Sequence, residues 1–131
     1  MMNKQQSISV DAHGDVEDSW KKVNDLSEVI IREPENADAY RLRGDVYRDM
    51  GEYQEAIGDL SEAIRLEPDN AYAYRSRGDV YDNMGEYQKA VDDLSEAIRL
   101  EPDNSYAYRI LSHVHENLCE LQMAVDALTE A

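Results

Sequence analysis

The sequence predicts an all-α fold, a short α-solenoid of antiparallel helix pairs. A segment of 34 residues occurs twice in succession, at residues 37–70 and 71–104, and 27 of its 34 positions are identical. Apolar and small residues recur in each copy at the spacing of helix faces, and no segment shows the alternation of a β-strand. Repetition at this period is typical of stacked supersecondary units that bury a shared core.

Each copy is predicted to contain two helices joined by a short turn. Gly51 follows the first helix, at a position where a left-handed C-cap favours glycine. Pro68 ends the second helix, and Asn70 is a good N-cap for the helix that follows. The predicted helices cover about residues 37–50, 54–67, 71–84 and 88–101.

A pattern of small, aromatic and apolar residues recurs in both copies; the first copy has Tyr40, Gly44, Tyr47, Gly51, Tyr53, Ala56, Leu60, Ala63 and Pro68, and the second copy repeats these 34 residues later. This pattern resembles the tetratricopeptide repeat, which has the same length. Gly44 and Gly78 are expected to let the two helices of a unit approach closely, because a side chain there would overpack the contact. The resemblance implies a right-handed superhelix whose concave groove holds a peptide or protein segment.

The flanking segments match this pattern only in part. Residues 18–36 resemble a lone second helix, and residues 1–17 are expected to form an N-terminal arm or a degenerate helix. Residues 105–131 resemble a degenerate third unit that reaches into its second helix. In that unit the packing glycine, the core tyrosine and the turn glycine are replaced by Ser112, His115 and Cys119.

The composition narrows the classes of partner. Asp and Glu number 29 against 13 Lys and Arg, which gives a formal net charge of −16. The negative electrostatic field of such a chain repels nucleic acid and anionic membranes, so neither is expected as a general partner.

Cys119 is the only cysteine, so no intramolecular disulfide can form. No segment has the character of a signal peptide or a membrane span, and we predict a cytoplasmic location.

Both intact copies place an arginine at a core-facing position where the family usually has leucine. An aspartate follows sixteen residues later, and in the third unit leucine and alanine replace the two residues together. This joint change predicts a structural ion pair between the two helices of each intact unit. The predicted pairs are Arg43 with Asp59 and Arg77 with Asp93.

The resemblance places the inner groove on the first helix of each unit. An arginine recurs there in all three units, and a tyrosine accompanies it in the last two; these residue types often dominate interfaces. An open alternative is that Arg41 and Arg75 pair with Asp45 and Asp79, four residues on, along a solvated helix face. The candidate groove residues are Arg41, Leu42, Asp45, Tyr72, Arg75, Asp79, Tyr106, Arg109 and Ile110.

One known use of the family does not fit this sequence. Some tetratricopeptide domains clamp the acidic C-terminus of chaperones with lysine, asparagine and arginine side chains. The corresponding residues here are Arg41, Asp45, Ser76, Tyr106 and Ile110. Only the first of these is basic, and Asp45 would repel the ligand, so a chaperone carboxylate clamp is not expected.

No metal, cofactor or catalytic site is predicted. His115 and Cys119 share a helix face, but His113 points elsewhere, and a zinc site needs three or four ligands. The chain has no glycine-rich phosphate loop and no nucleophile with an evident base, so it is not expected to be an enzyme.

The sequence is compatible with two functions. The first is a non-catalytic scaffold that holds a peptide or protein of unidentified sequence in the groove. The alternative is a self-assembling repeat module that forms a homo-oligomer through uncapped terminal helices. The apolar residues that favour this alternative near the C-terminus are Leu118, Leu121, Val125 and Leu128.

Overall fold

A computed structural model describes residues 10–130, and the side chains of residues 16–129; residues 1–9 and 131 lie outside this description. Within residues 10–130 the chain forms six α-helices and no strand, which confirms the all-α prediction. None of these helices is long and apolar enough to cross a membrane. The helices are α1 (Val10–Arg32), α2 (Ala37–Asp49), α3 (Tyr53–Leu66), α4 (Ala71–Met84), α5 (Tyr87–Leu100) and α6 (Ser105–Glu130).

The repeated segment folds into two helix pairs, α2 with α3 and α4 with α5. These four helices begin and end within one residue of the positions that capping residues and prolines predicted. The Asn70 side chain accepts a hydrogen bond from the Ala73 backbone N–H at 3.2 Å and so caps α4. Gly51 and Gly85 take φ of +80° in the turns, a left-handed conformation that glycine adopts at no steric cost.

A glycine on the first helix brings the two helices of each pair together. A Cβ at Gly44 would lie 2.9 Å from Leu60 Cγ, and a Cβ at Gly78 would lie 2.8 Å from Leu94 Cγ. Both leucines are fully buried. The glycine therefore permits the close approach that was predicted, and the leucine of the facing helix fills the space that a side chain would take.

The helices divide into two compact units, one ending at Leu66 and the other beginning at Glu67. In the N-terminal unit, α1 packs on α2, with Val23 buried and the Trp20 ring meeting the Tyr47 ring edge-on at 6.3 Å. Helix α1 runs unbroken from Val10 across residue 17, where the expected arm or degenerate helix was separated from the partial repeat. No proline occurs before Pro34 to interrupt this helix.

In the C-terminal unit, α6 packs on α5 around a core of buried residues that includes Ala90, Leu94, Ala107 and Val114. The structure differs from the prediction of a degenerate helix pair, because α6 is one continuous helix of 26 residues. Cys119 occupies the position where the intact units have a glycine with positive φ. A residue with a Cβ disfavours that conformation, so the backbone continues as a helix.

Candidate functional site

The two structural ion pairs lie inside the helix pairs. Arg43 donates from Nε to Asp59 Oδ2 at 2.7 Å and from Nη2 to Oδ1 at 2.8 Å. Arg77 makes the same two-pronged contact with Asp93, at 2.7 and 2.9 Å. Both aspartates are buried, and the hydrogen bond to the carboxylate raises the pKa of each arginine despite the opposing effect of desolvation. These arginines therefore serve the fold.

Another set of arginines in the C-terminal unit stacks on tyrosine rings. The guanidinium carbon of Arg75 lies 4.2 Å from the ring centroid of Tyr72 on α4 and 4.4 Å from that of Tyr106 on α6. Arg109 lies 4.8 Å from the same Tyr106 ring. We call Tyr72, Arg75, Tyr106 and Arg109 the Arg–Tyr stack. It joins α4 to the first part of α6.

Exposure increases along the Arg–Tyr stack from α4 to α6. Tyr72 and Arg75 are half-buried, whereas Tyr106 is 38% exposed and Arg109 is exposed. At 4.2 to 4.8 Å from the ring centroids the guanidinium carbons are within cation–π range, and each guanidinium group carries five N–H donors. The stack therefore combines fixed orientation with hydrogen-bond donors, which suits it to carboxylate and carbonyl acceptors.

A polar cluster that the sequence analysis did not assemble also joins α4 to α6. His113 Nδ1 lies 2.9 Å from Asp82 Oδ2, and Asn117 Nδ2 donates to Asp82 Oδ1 at 3.4 Å. The Asp82 side chain is only 8% exposed, whereas that of His113 is 61% exposed. His113 and Asn117 follow Asp82 by 31 and 35 positions, close to the repeat period, and that spacing was the available signal.

Two apolar candidates for the groove, Ile110 and Leu42, have different surroundings. Ile110 is only 8% exposed and belongs to the core between α5 and α6, so it does not offer the apolar contact surface that was predicted. The reason is that α6 turns this residue toward α5. Leu42 is 43% exposed and lines a cavity of about 370 Å³ between α1 and α2, which also involves Leu26 and Asp45.

Arg41 has different surroundings from Arg75. Its guanidinium group lies 3.8 Å from Asp38 and 3.9 Å from Asp45, both on its own helix, and Arg48 lies 3.4 Å from Asp45. This is the pairing along one helix that was left open for the arginine row, but the side chains of Arg41, Asp45 and Arg48 are half-buried and do not form a solvated face. Arg41 belongs to the N-terminal unit and the other two arginines to the C-terminal unit, so a continuous row of three remains a prediction.

No group of three or more His, Cys, Asp or Glu side chains suited to a metal ion occurs in the described part of the chain. His115 and Cys119, which share a face of α6, are both exposed. His113 bonds to Asp82 instead.

Comparison with protein families supports the repeat assignment. A model described as "TPR repeat" matches residues 44–85, and one described as "Tetratricopeptide repeat" matches residues 71–104. No curated protein matches the sequence.

Solved structures with a similar fold are numerous. The TPR domain of Arabidopsis OM64 is 26% identical, with a TM-score of 0.75 over 82% of this chain and 88% of that one. MamA is 30% identical, with a TM-score of 0.71, and the match covers 82% of this chain but only 58% of MamA. The second TPR domain of human RPAP3, solved in complex with the HSP70 peptide SGPTIEEVD, is 27% identical, with a TM-score of 0.69 over 71% of this chain and 78% of that one.

Proposed function

This chain belongs to the tetratricopeptide repeat family, and we propose that it is a non-catalytic scaffold that binds a peptide or protein segment. The observation that carries the proposal is the Arg–Tyr stack, where stacking contacts of 4.2 to 4.8 Å orient two arginines on the first helices of neighbouring repeats. Side chains already ordered in the free protein lose little further entropy when a ligand binds, which favours affinity.

The hydrogen-bonding groups of the Arg–Tyr stack indicate which groups the bound segment must present. Guanidinium edges and tyrosine hydroxyls are hydrogen-bond donors, so the bound segment presents acceptors, either an isolated carboxylate or main-chain carbonyls. A long acidic tract is disfavoured, because a chain with a net charge of −16 repels it. We therefore propose an extended segment with one or two acceptor groups at the stack and little net negative charge.

This partner differs from the HSP70 peptide SGPTIEEVD with which the second TPR domain of human RPAP3 was solved. Of the residues that correspond to the clamp of such domains, Ser76 is 1% exposed, and Ile110 is 8% exposed. Asp45 brings a carboxylate that lies beside Arg41 and Arg48. These residues offer no array of donors to a pair of terminal carboxylates, which supports a different ligand.

The test is capture of binding proteins from a cell lysate with three immobilised baits, quantified by mass spectrometry. The baits are the wild type, the Arg75→Glu/Arg109→Glu variant and the Arg65→Glu/Arg99→Glu variant. The third bait is a matched control, because it makes the same change of charge at exposed arginines of α3 and α5. Circular dichroism verifies that all three are equally helical.

We expect at least one protein to be retained by the wild type and the control and lost by the stack variant. If all three baits retain the same proteins, or if the wild type retains none, the proposed role of the Arg–Tyr stack is wrong. A peptide scan across a retained protein would then identify the segment and show whether it carries the predicted acceptors.

A further inference from the structure

Helix α6 carries an apolar stripe that is longer than the surface packed against it. The first part of the stripe, at Ala107, Ile110 and Val114, is buried in the core formed with α5. The second part continues in the same direction at helical steps of three and four residues. We call this second part the overhanging stripe; it consists of Leu118, Leu121, Val125 and Leu128.

The side chains of the overhanging stripe become more exposed toward the C-terminal end of α6. Leu118 is half-buried at the edge of the core, Leu121 and Val125 are each 51% exposed, and Leu128 is 77% exposed. A row of aliphatic side chains on one face of an exposed helix is typical of an interaction surface.

The continuous helix explains why this stripe has no packing partner among the residues that the structure describes. In the intact repeat, Leu94 of the second helix packs at Gly78 of the first. Leu128 occupies the position in the 34-residue period that corresponds to Leu94. Because α6 does not turn at Cys119, Leu128 extends away from the first part of its own helix and stays exposed.

We propose that the overhanging stripe binds the same stripe of a second copy of this chain, with the two α6 helices antiparallel. The steps between successive stripe residues are three, four and three, a sequence that reads the same in both directions. A two-fold axis near residue 123 therefore matches Leu118 to Leu128 of the partner subunit and Leu121 to Val125 of the partner subunit. The reciprocal contacts form by symmetry, as a closed dimer interface requires.

The distribution of charge on α6 favours a second copy over a basic partner. At 100° per residue, the carboxylates of Glu116, Glu120 and Asp126 lie away from the stripe. Two copies of an acidic chain can therefore approach through this face without placing carboxylates opposite one another. A basic amphipathic helix would instead require acidic side chains beside the stripe. The residues that border the stripe are all uncharged: Asn117, Gln122, Ala124 and Thr129.

Sedimentation velocity of the full chain across the micromolar range tests the proposal. We expect the wild type to shift from monomer to dimer as concentration rises, because self-association obeys mass action. Leu121→Lys is expected to raise the dissociation constant at least tenfold. Met123→Lys is the matched control, since Met123 is 66% exposed on the opposite side of the same helix, and it is expected to leave the dimer intact.

A mixing experiment tests the antiparallel register. Leu121→Lys and Val125→Glu should each be monomeric alone, and the two variants mixed should form a heterodimer in which Lys faces Glu across the axis. A wild type that stays monomeric at every concentration overturns the proposal, as does a Met123→Lys variant that dissociates like Leu121→Lys. Failure of the two variants to associate on mixing overturns the register. Unchanged helicity by circular dichroism excludes misfolding as the cause, since both positions are half exposed.

Discussion

Gly78 and Leu94 are so close that a Cβ at position 78 would lie 2.8 Å from the leucine Cγ. This contact sets the separation of α4 and α5, and Gly44 with Leu60 does the same for α2 and α3 at 2.9 Å. The leucine is fully buried and cannot move aside without disturbing its neighbours. The close approach of the two helices therefore depends on the absence of a side chain at one position.

Replacing Gly78 by alanine is expected to lower the free energy of unfolding by about 1–3 kcal/mol, because the added methyl overpacks the contact with Leu94. The matched control is Gly58→Ala in α3, where a Cβ meets nothing within 4 Å. That change should raise stability by up to about 1 kcal/mol, because alanine has the higher helix propensity. Urea unfolding followed by circular dichroism measures both, and destabilisation of equal size in the two variants would contradict the packing argument.

The pair of Arg77 with Asp93 is expected to show strong non-additivity. Arg77→Leu alone leaves a buried carboxylate unpaired and should cost about 3–5 kcal/mol of unfolding free energy. Arg77→Leu combined with Asp93→Ala removes both charges and should lie closer to the wild type. The degenerate third unit supports this expectation, since it has Leu111 and Ala127 at these two positions.

The measurement for this pair is a double-mutant cycle from chemical unfolding curves, with Asp93→Ala as the second single variant. Stability losses that simply add would show that the two-pronged contact of 2.7 and 2.9 Å has no coupling energy.

Gly85 is expected to tolerate asparagine better than alanine. Its φ of +80° lies in the left-handed region, where a Cβ costs about 1–2 kcal/mol. Gly85→Ala should lose about that much stability, while Gly85→Asn should lose less, because asparagine adopts this conformation more readily. No atom lies within 4 Å of a Cβ built there, so packing does not contribute. Thermal unfolding of both variants checks the order, and equal losses would argue against a conformational cause.

The exposed pair of Glu96 and Arg99 predicts a small dependence of stability on pH. The hydrogen bond from Arg99 lowers the pKa of Glu96 below its ordinary value of 4.5. A carboxylate with a lowered pKa stabilises the fold above its unfolded pKa, and this contribution is lost as the pH falls through the folded pKa. Glu96→Gln should therefore lower Tm slightly at neutral pH and should match the wild type in acid.

The checking measurement for Glu96 is Tm against pH for both proteins, repeated at high salt. Because the pair is exposed, added salt should reduce the difference at neutral pH. A difference in Tm that persists unchanged well below pH 4.5 would mean that the glutamate does not act through its charge.

Local signals in the sequence predicted the helix pairs well. Asn70, Gly51 and Pro68 act on the backbone within a few residues, and their effect on helix ends is nearly independent of the rest of the chain. The pairing of Arg43 with Asp59 was predictable from another signal, because leucine and alanine replace both members of the pair together in the third unit. The structure places their atoms 2.7 Å apart.

Tertiary packing decided what local patterns left open. In α6, the third unit kept several residues of the repeat pattern, but without a glycine at position 119 the helix continued, and Ile110 turned toward α5 into the core. Likewise, the arginines at one position of the repeat received different neighbours, carboxylates for Arg41 and aromatic rings for Arg75. The repeat pattern specifies which face of a helix a side chain occupies, whereas its contacts depend on the residues that the adjoining helices bring within reach.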